Sequence, residues 1–529
     1  MSVLKFLSFV AAFQSVSAVE PLVDLGHSRY QGVPLQNGIT QWLGLRYGAP
    51  PVGNLRFAAP QDPPRNGSLQ IADTHGNICI GTGQAANATG YGEDCLFLDI
   101  YAPSNATENS KLGVYFFIQG GGFNTNSNPN LNGSGIVTAG DLQVITVAIN
   151  YRVGAYGFLA AQEVASPNNG LKDQRKALEW VQKNICKFGG DPSRVTMAGD
   201  SAGAASVTLQ LTAYGGRDDR LFSATAAESQ SFAAVRTVNE SQYQYDALVI
   251  RTGCASAQDT LACLRGLNTT YFQSQSFNIP FPGASSPPLY MYGPTLDNDF
   301  VTDYTYSAFD KGAFVHVPGI YGDDTNEGTI FTPNTTATIG DSDNFLKNQF
   351  PALTLQQLAK INSLYPVDGT PTFVNTSRFW RQASNAYGEV RYICPGIFIS
   401  RKYSELNVPI WNYHWDVVDP TQGVEGFGVP HTVEVNAIWG PNNTNGGAPA
   451  SYNTTNAAIV PVAQGYWTSF VRANNPNTHR FKGTPHWDQY GTSEARIHFV
   501  TNATAIETVP EDQRSRCSYL SSIGVDLKQ

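Results

Sequence analysis

The apolar positions of this chain fall into short, nearly unbroken runs punctuated by glycine and proline. LFLDIYA (96–102), LGVYFFIQ (112–119) and LQVITVAINYR (142–152) have the pattern of strands buried on both faces. LKDQRKALEWVQKNICKF (171–188) instead spaces its apolar residues at helical intervals. A short apolar strand follows at Arg194–Ala198, then the turn Gly199-Asp200-Ser201-Ala202-Gly203, then small and apolar residues up to Ala213 that suit a packed helix. Two later runs, near 316–324 and 408–417, again read as strands. Strands alternating with helices predict an α/β fold built on a central, mostly parallel, doubly wound sheet, with its ligand site at the carboxyl ends of the strands. Beyond about residue 213 the pattern loosens into helical and loop insertions. Residues 19–529 read as one domain without internal repeats, and the polar segment 443–458 as a surface excursion.

A serine pinned between strand and helix in G-x-S-x-G context is a candidate nucleophile, because the sharp turn lifts its hydroxyl clear of the backbone. Bare G-x-S-x-G is a weak signal in a chain with 50 glycines; the strand–turn–helix context around Ser201 gives it weight. Such a serine needs a base, an acid to orient the base, and donors for an oxyanion. The run Gly120-Gly121-Gly122 directly after the 112–119 strand offers backbone N–H groups that no side chain obstructs. Among eight histidines, His431 lies in a loop beyond a late strand and fits best as base. His414 is a distant second, and it and His316 read as core histidines; His27, His75, His479, His486 and His498 read as surface or structural. GIYGDDTNEGTIF supplies Asp323, Asp324 and Glu327 as candidate acids, which spacing alone does not separate.

Composition narrows the partners. A formal net charge of -9 without any basic run excludes nucleic acid and anionic membranes as natural ligands. Residues 1–18 have the lysine, apolar core and Val-Ser-Ala end of a secretory signal peptide, and no other segment is long and apolar enough to anchor the chain in a membrane. Secretion accords with glycosylation sequons at Asn66, Asn87, Asn105, Asn132, Asn239, Asn268, Asn334, Asn375, Asn442, Asn453 and Asn502. Seven cysteines in an oxidising compartment suggest three bridges. Local spacing pairs Cys79 with Cys95 and Cys254 with Cys263; Cys394 and Cys517 remain as a long-range staple, leaving Cys186 as a buried free thiol. No metal-ligand spacing is present, and no cofactor is expected.

From NLRF at residue 54 through EDCLFLDIY, QGGGF, NYRVGAYGFL and FGGDPSRVTMAGDSAG to NEGTIF and the His431 stretch, the chain resembles the type B carboxylesterases of the α/β-hydrolase fold, which include cholinesterases and fungal lipases. The resemblance implies a triad of Ser201, Glu327 and His431, with Gly121, Gly122 and Ala202 donating to the oxyanion. It implies the same three disulfides, and structural ion pairs Arg56–Glu93 and Arg152–Asp173. Three positions depart from the family. Gln119 precedes the glycines, Asp200 replaces a frequent glutamate, and no tryptophan lies between Cys79 and Cys95 to face a quaternary ammonium. The expected activity is hydrolysis of small-molecule carboxylic esters. An acyltransferase sharing the acyl-enzyme, an interfacial lipase and a non-catalytic binding protein are the alternatives. Only fifteen residues, mostly small and polar, separate Cys79 from Cys95, too little apolar area for a lipase-type lid. An open mouth shaped by the loops Phe277–Met291 and Gly423–Pro430, and soluble short-chain or aromatic esters, are therefore expected.

Overall fold

The computed structural model describes residues 21–529; the signal-peptide reading falls outside them. Its centre is an eleven-stranded sheet. In chain order the strands are β1 (Val33–Pro34), β2 (Ile39–Arg46), β3 (Phe97–Pro103), β4 (Leu112–Ile118), β5 (Val144–Ile149), β6 (Gly190–Asp200), β7 (Ala224–Glu228), β8 (Gly319–Asp324), β9 (Ile410–Trp415), β10 (Ala495–Phe499) and β11 (Ala505–Thr508). In space they run β11-β10-β9-β8-β7-β6-β4-β5-β3-β2-β1. Every pair from β5 to β10 is parallel, and the four outer pairings are antiparallel. β4 follows from its sequence: all seven residues of LGVYFFI are buried, as a strand covered on both faces requires.

Alternation along β4 feeds two cores. Val114, Phe116 and Ile118 join one apolar cluster with Trp180, Met197 and Val207, while Tyr115 and Phe117 join another with Trp439, Trp467 and Phe470. Helices α1 (Asn169–Asn184) and α2 (Ala202–Leu211) supply the first layer. Later come α3 (Trp380–Gly388), a π-helical turn (Glu389–Ile393) and α4 (Cys394–Glu405), then α5 (Val460–Ala473), which supplies the second layer, and α6 (Glu511–Ser522). The short strands Leu22–Asp24, Arg29–Gln31 and Leu69–Ile71 form a separate small sheet.

Disulfides join Cys79 to Cys95, Cys254 to Cys263, and Cys394 at the start of α4 to Cys517 in α6. Cys186 is unpaired, but it is half-buried rather than buried, because it sits in a 3-10 turn (Ile185–Phe188) after α1 has ended. Arg152 binds Asp173 through Nη2–Oδ1 at 2.7 Å and Nε–Oδ2 at 2.8 Å, both residues buried. Arg56 is paired with Glu93 and reaches the Leu264 carbonyl at 2.9 Å, tying the first part of the chain to the second disulfide loop. His316 is not a core residue: β8 starts only at Gly319, so His316 stays exposed, its ring against Phe314. The sequon asparagines are exposed except Asn132, which is half-buried and accepts from the Ser134 amide at 3.0 Å.

Candidate active site

β6 ends at Asp200 and α2 begins at Ala202, leaving Ser201 alone in the corner with φ 56° and ψ -117°. That backbone costs a non-glycine residue about 1–3 kcal/mol and persists only where its surroundings enforce it. Here the Ser201 amide donates to the Glu228 carbonyl at 3.0 Å, and Ser231 Oγ donates to the Ser201 carbonyl at 2.9 Å. The flanking glycines are steric necessities. A Cβ on Gly203 would lie 1.9 Å from the Ile118 carbonyl oxygen, and one on Gly199 would lie 2.6 Å from Gly203 and Ile118 backbone atoms.

The glycine run leaves β4 beside this corner. A Cβ on Gly120 would lie 2.8 Å from Ser201 Cβ. Gly121 and Gly122 have φ of 110° and 62°, and a Cβ on Gly122 would strike the ring of Tyr290. Asp200 fixes the loop: its Oδ1 accepts from the Gly120 amide and its Oδ2 from Asn128 Nδ2, both at 2.9 Å. Burial pushes the Asp200 carboxyl up to about 6, against the lowering pull of His431 and these hydrogen bonds. Among the described residues, the amides of Gly121, Gly122 and Ala202 donate to no backbone carbonyl.

All three candidate acids are buried, so the segment is no solvated loop. They are separated by what they touch. Glu327 Oε2 is bonded to His431 Nδ1, and its Oε1 accepts from the Asp324 amide at 2.7 Å. Asp324 faces elsewhere, accepting from the Val433 amide at 3.1 Å. Asp323 Oδ1 has no partner among the described residues. Burial first, and then neighbouring Glu434 and Glu327, raise Asp324 well above the usual carboxylate range; burial and Glu327 do the same to Asp323. A polar cavity of about 390 Å³, lined by Asp323, Glu327, His414, Arg496 and Arg516, lies at this acidic end; neither Ser201 nor His431 lines it.

His431 is held from several directions. The Asn326 amide donates to the Val429 carbonyl at 2.9 Å, and Asn326 Oδ1 accepts from the Val429 amide at 3.0 Å, joining the loop of the acid to the loop of the histidine. The Thr432 amide donates to Ser229 Oγ at 2.9 Å. Tyr392, from the π turn, lies over the imidazole with centroids 4.3 Å apart, and Phe331 approaches edge-on at 5.1 Å. Its Nε2 is buried with no hydrogen-bond partner among the described residues. His414 is different, since both its nitrogens are taken: Nδ1 by Glu507 Oε1 and Nε2 by Thr325 Oγ1, each at 2.9 Å.

Among the described residues, two groups have ligand atoms close enough for a metal ion. One contains Cys394 and Cys517, whose sulfurs are joined to each other. The other is His414, His498 and Glu507, where Arg496 Nε already holds Glu507 at 2.6 Å.

Sequence reasoning missed the polar layer behind the histidine. Glu434 Oε1 accepts from Tyr413 OH at 2.9 Å and Ser229 Oγ at 3.1 Å, and Ser229 Oγ in turn receives the Thr432 amide. Glu434 is fully buried; burial and Glu327 push its carboxyl up to about 7. The available signal was a lone glutamate inside the apolar run TVEVNAIW.

The carboxylesterase family model matches residues 25–518. Secreted lipase 4 of Gibberella zeae is 29% identical over 497 residues, covering 88% of this chain and 85% of its own length. The mouse cholinesterase is 28% identical over 513 residues, covering 89% and 81%. The crystal structure of Aspergillus niger EstA superposes with a TM-score of 0.93 at 43% identity, over 96% of this chain and 99% of that one. With a corner serine on a mostly parallel sheet and a family match across nearly all the described residues, the chain belongs to the carboxylesterase family and is a carboxylic-ester hydrolase of the α/β-hydrolase fold.

Proposed function

We propose that the chain is a secreted serine esterase in which Ser201, Glu327 and His431 act as triad and the amides of Gly121, Gly122 and Ala202 receive the oxyanion. The observation that carries this reading is the Glu327–His431 contact. With Nδ1 hydrogen-bonded to a carboxylate, the imidazole is held with Nε2 as its acceptor, and Nε2 is left without a partner among the described residues. His431 then takes the proton of Ser201 as its Oγ attacks the ester carbonyl, and returns it to the leaving alcohol. Water repeats the attack and releases the acid. Ser201→Ala is expected to lower turnover of a nitrophenyl ester by at least about 10⁴ with an unchanged circular dichroism spectrum. Retention of a tenth of the activity rejects the assignment.

Soluble, short-chain or aromatic esters are the proposed substrates. Among the large apolar residues exposed on the protein, none comes from the loop between Cys79 and Cys95. The names of relatives favour a second reading, an interfacial lipase: Secreted lipase 4 of Gibberella zeae, and Lipase 1 of Geotrichum candidum at 33% identity over 393 residues. Triglyceride kinetics across the solubility limit separate the two. A smooth saturation curve supports the soluble-ester reading, and a sharp rise at the limit replaces it with the lipase. Secretion accords with relatives named as secreted lipases and with exposed sequons; a mass loss on endoglycosidase treatment of the exported protein tests it.

A further inference from the structure

Two arginines near the glycine loop have no counter-ion. Arg391, in the π-helical turn, is buried; no ion pair or side-chain hydrogen bond involves it among the described residues, and its Nε is enclosed without a partner. Arg236 has no ion pair there either; its guanidinium lies over the Phe281 ring at 3.5 Å. The nearby carboxylate, Glu240, is occupied by Lys528 at 3.1 Å and by the Thr237 amide at 2.9 Å. Burial and the charge of Arg391 push Arg236 down to about 10, so it remains a cation at neutral pH. A buried guanidinium is costly unless its donors are filled. π turns also recur at functional sites, because the extra residue re-aims side chains.

Both arginines face the same space. A narrow cavity of about 40 Å³ is lined by Gly122, Tyr290, Tyr387, Arg391 and Arg236. An adjoining cavity of about 310 Å³ shares Ala234, Arg236, Gln349 and Phe350 with it and extends to Phe281 and to the paired Glu240 and Lys528. The narrow cavity touches the glycine loop at Gly122, and none of Ser201, His431 and Glu327 lines it. A leaving alcohol must stay within reach of His431 to take its proton, so the part of an ester that runs past Gly122 is the acyl half.

We propose that Arg391 and Arg236 form a carboxylate-recognition site for the far end of the acyl chain, so that monoesters of dicarboxylic acids are preferred substrates. This rests on the serine-esterase reading above. In this arrangement the methylene chain runs from Gly122 along Tyr290 and Tyr387, and the arginine pair receives the terminal carboxylate through charge-assisted hydrogen bonds.

The test compares mono(4-nitrophenyl) adipate, suberate and sebacate with neutral 4-nitrophenyl esters of equal chain length, spontaneous hydrolysis subtracted. At the best chain length, kcat/KM is expected to favour the charged ester at least about tenfold, mainly through KM. In Arg391→Gln and in Arg236→Gln the charged-to-neutral ratio is expected to fall by about the same factor. A wild-type ratio at or below one for every length, or a ratio unaltered in both variants, overturns the proposal. Should a variant fail to fold, wild-type inhibition decides. Competition by the free dicarboxylate but not by the diol of equal length supports the site, and equal effects of both refute it. Failure of the underlying reading has another signature, since both esters would then be turned over undiminished by Ser201→Ala.

Discussion

Glu327 differs from Asp323 and Asp324 in where its carboxylate points, and that difference makes unequal mutants. Glu327→Gln should lower kcat by about 10³–10⁴ with little change in KM, because the imidazole loses the charge on its Nδ1. Asp323→Asn and Asp324→Asn should each cost less than about tenfold, as neither carboxyl touches the ring. Steady-state kinetics of the three proteins checks the order. Sequence spacing left these acids equivalent because all three lie within five residues of one strand end. Their separation depends on β8 ending at Asp324, so that the next turn carries Glu327 back under the histidine. Ser201 was legible since its signature is itself a steric requirement written in glycines.

Glu434 sets a pH dependence at the same scale. Its folded value lies near 7 against an ordinary 4.5, so the neutral carboxyl favours the fold. The contribution is complete below about pH 4.5 and disappears as pH rises through about 7. Glu434→Gln should therefore flatten the fall of stability between pH 5 and 8, by up to about 3 kcal/mol. Denaturant midpoints at the two pH values measure it. A wild-type and mutant falling in parallel would remove Glu434 as the source.

At the scale of elements, the packing of α2 on β4 leaves no room for a side chain at Gly203. Gly203→Ala sets a methyl against the Ile118 carbonyl, a backbone atom that cannot rotate away. It should destabilise by about 2–3 kcal/mol and lose activity together with stability, both visible in a thermal melt and an esterase assay. The strands and α1 were readable because burial on two faces and helical spacing leave distinct patterns. The π turn was not. AYGEVRYICPG has the same apolar spacing whether or not one residue is added, and only contacts such as Tyr392 on His431 reveal the insertion.

For the whole molecule, the Cys394–Cys517 bridge spans 123 residues and joins the helix after the π turn to α6. The chain-entropy description assigns such a loop about 5 kcal/mol. Replacing both cysteines by serine should lower stability by up to that amount, against roughly half as much expected for an exposed short loop; urea denaturation of the two double mutants, with Cys254 and Cys263 as the comparison, tests the ranking. The edge strand β11 and the short strand Leu69–Ile71 escaped sequence reading because they are only four and three residues long.

The proposed triad is scattered along the chain, its serine 230 residues ahead of its histidine. At translation speeds of about 5–20 residues per second, the nucleophile leaves the ribosome about 10–50 s before its base exists. During that interval the corner serine is an ordinary alcohol, with no imidazole to deprotonate it. A hydrolase whose strained turn forms early is thus chemically silent while nascent, and gains its reactivity only after about four-fifths of the polypeptide has been made.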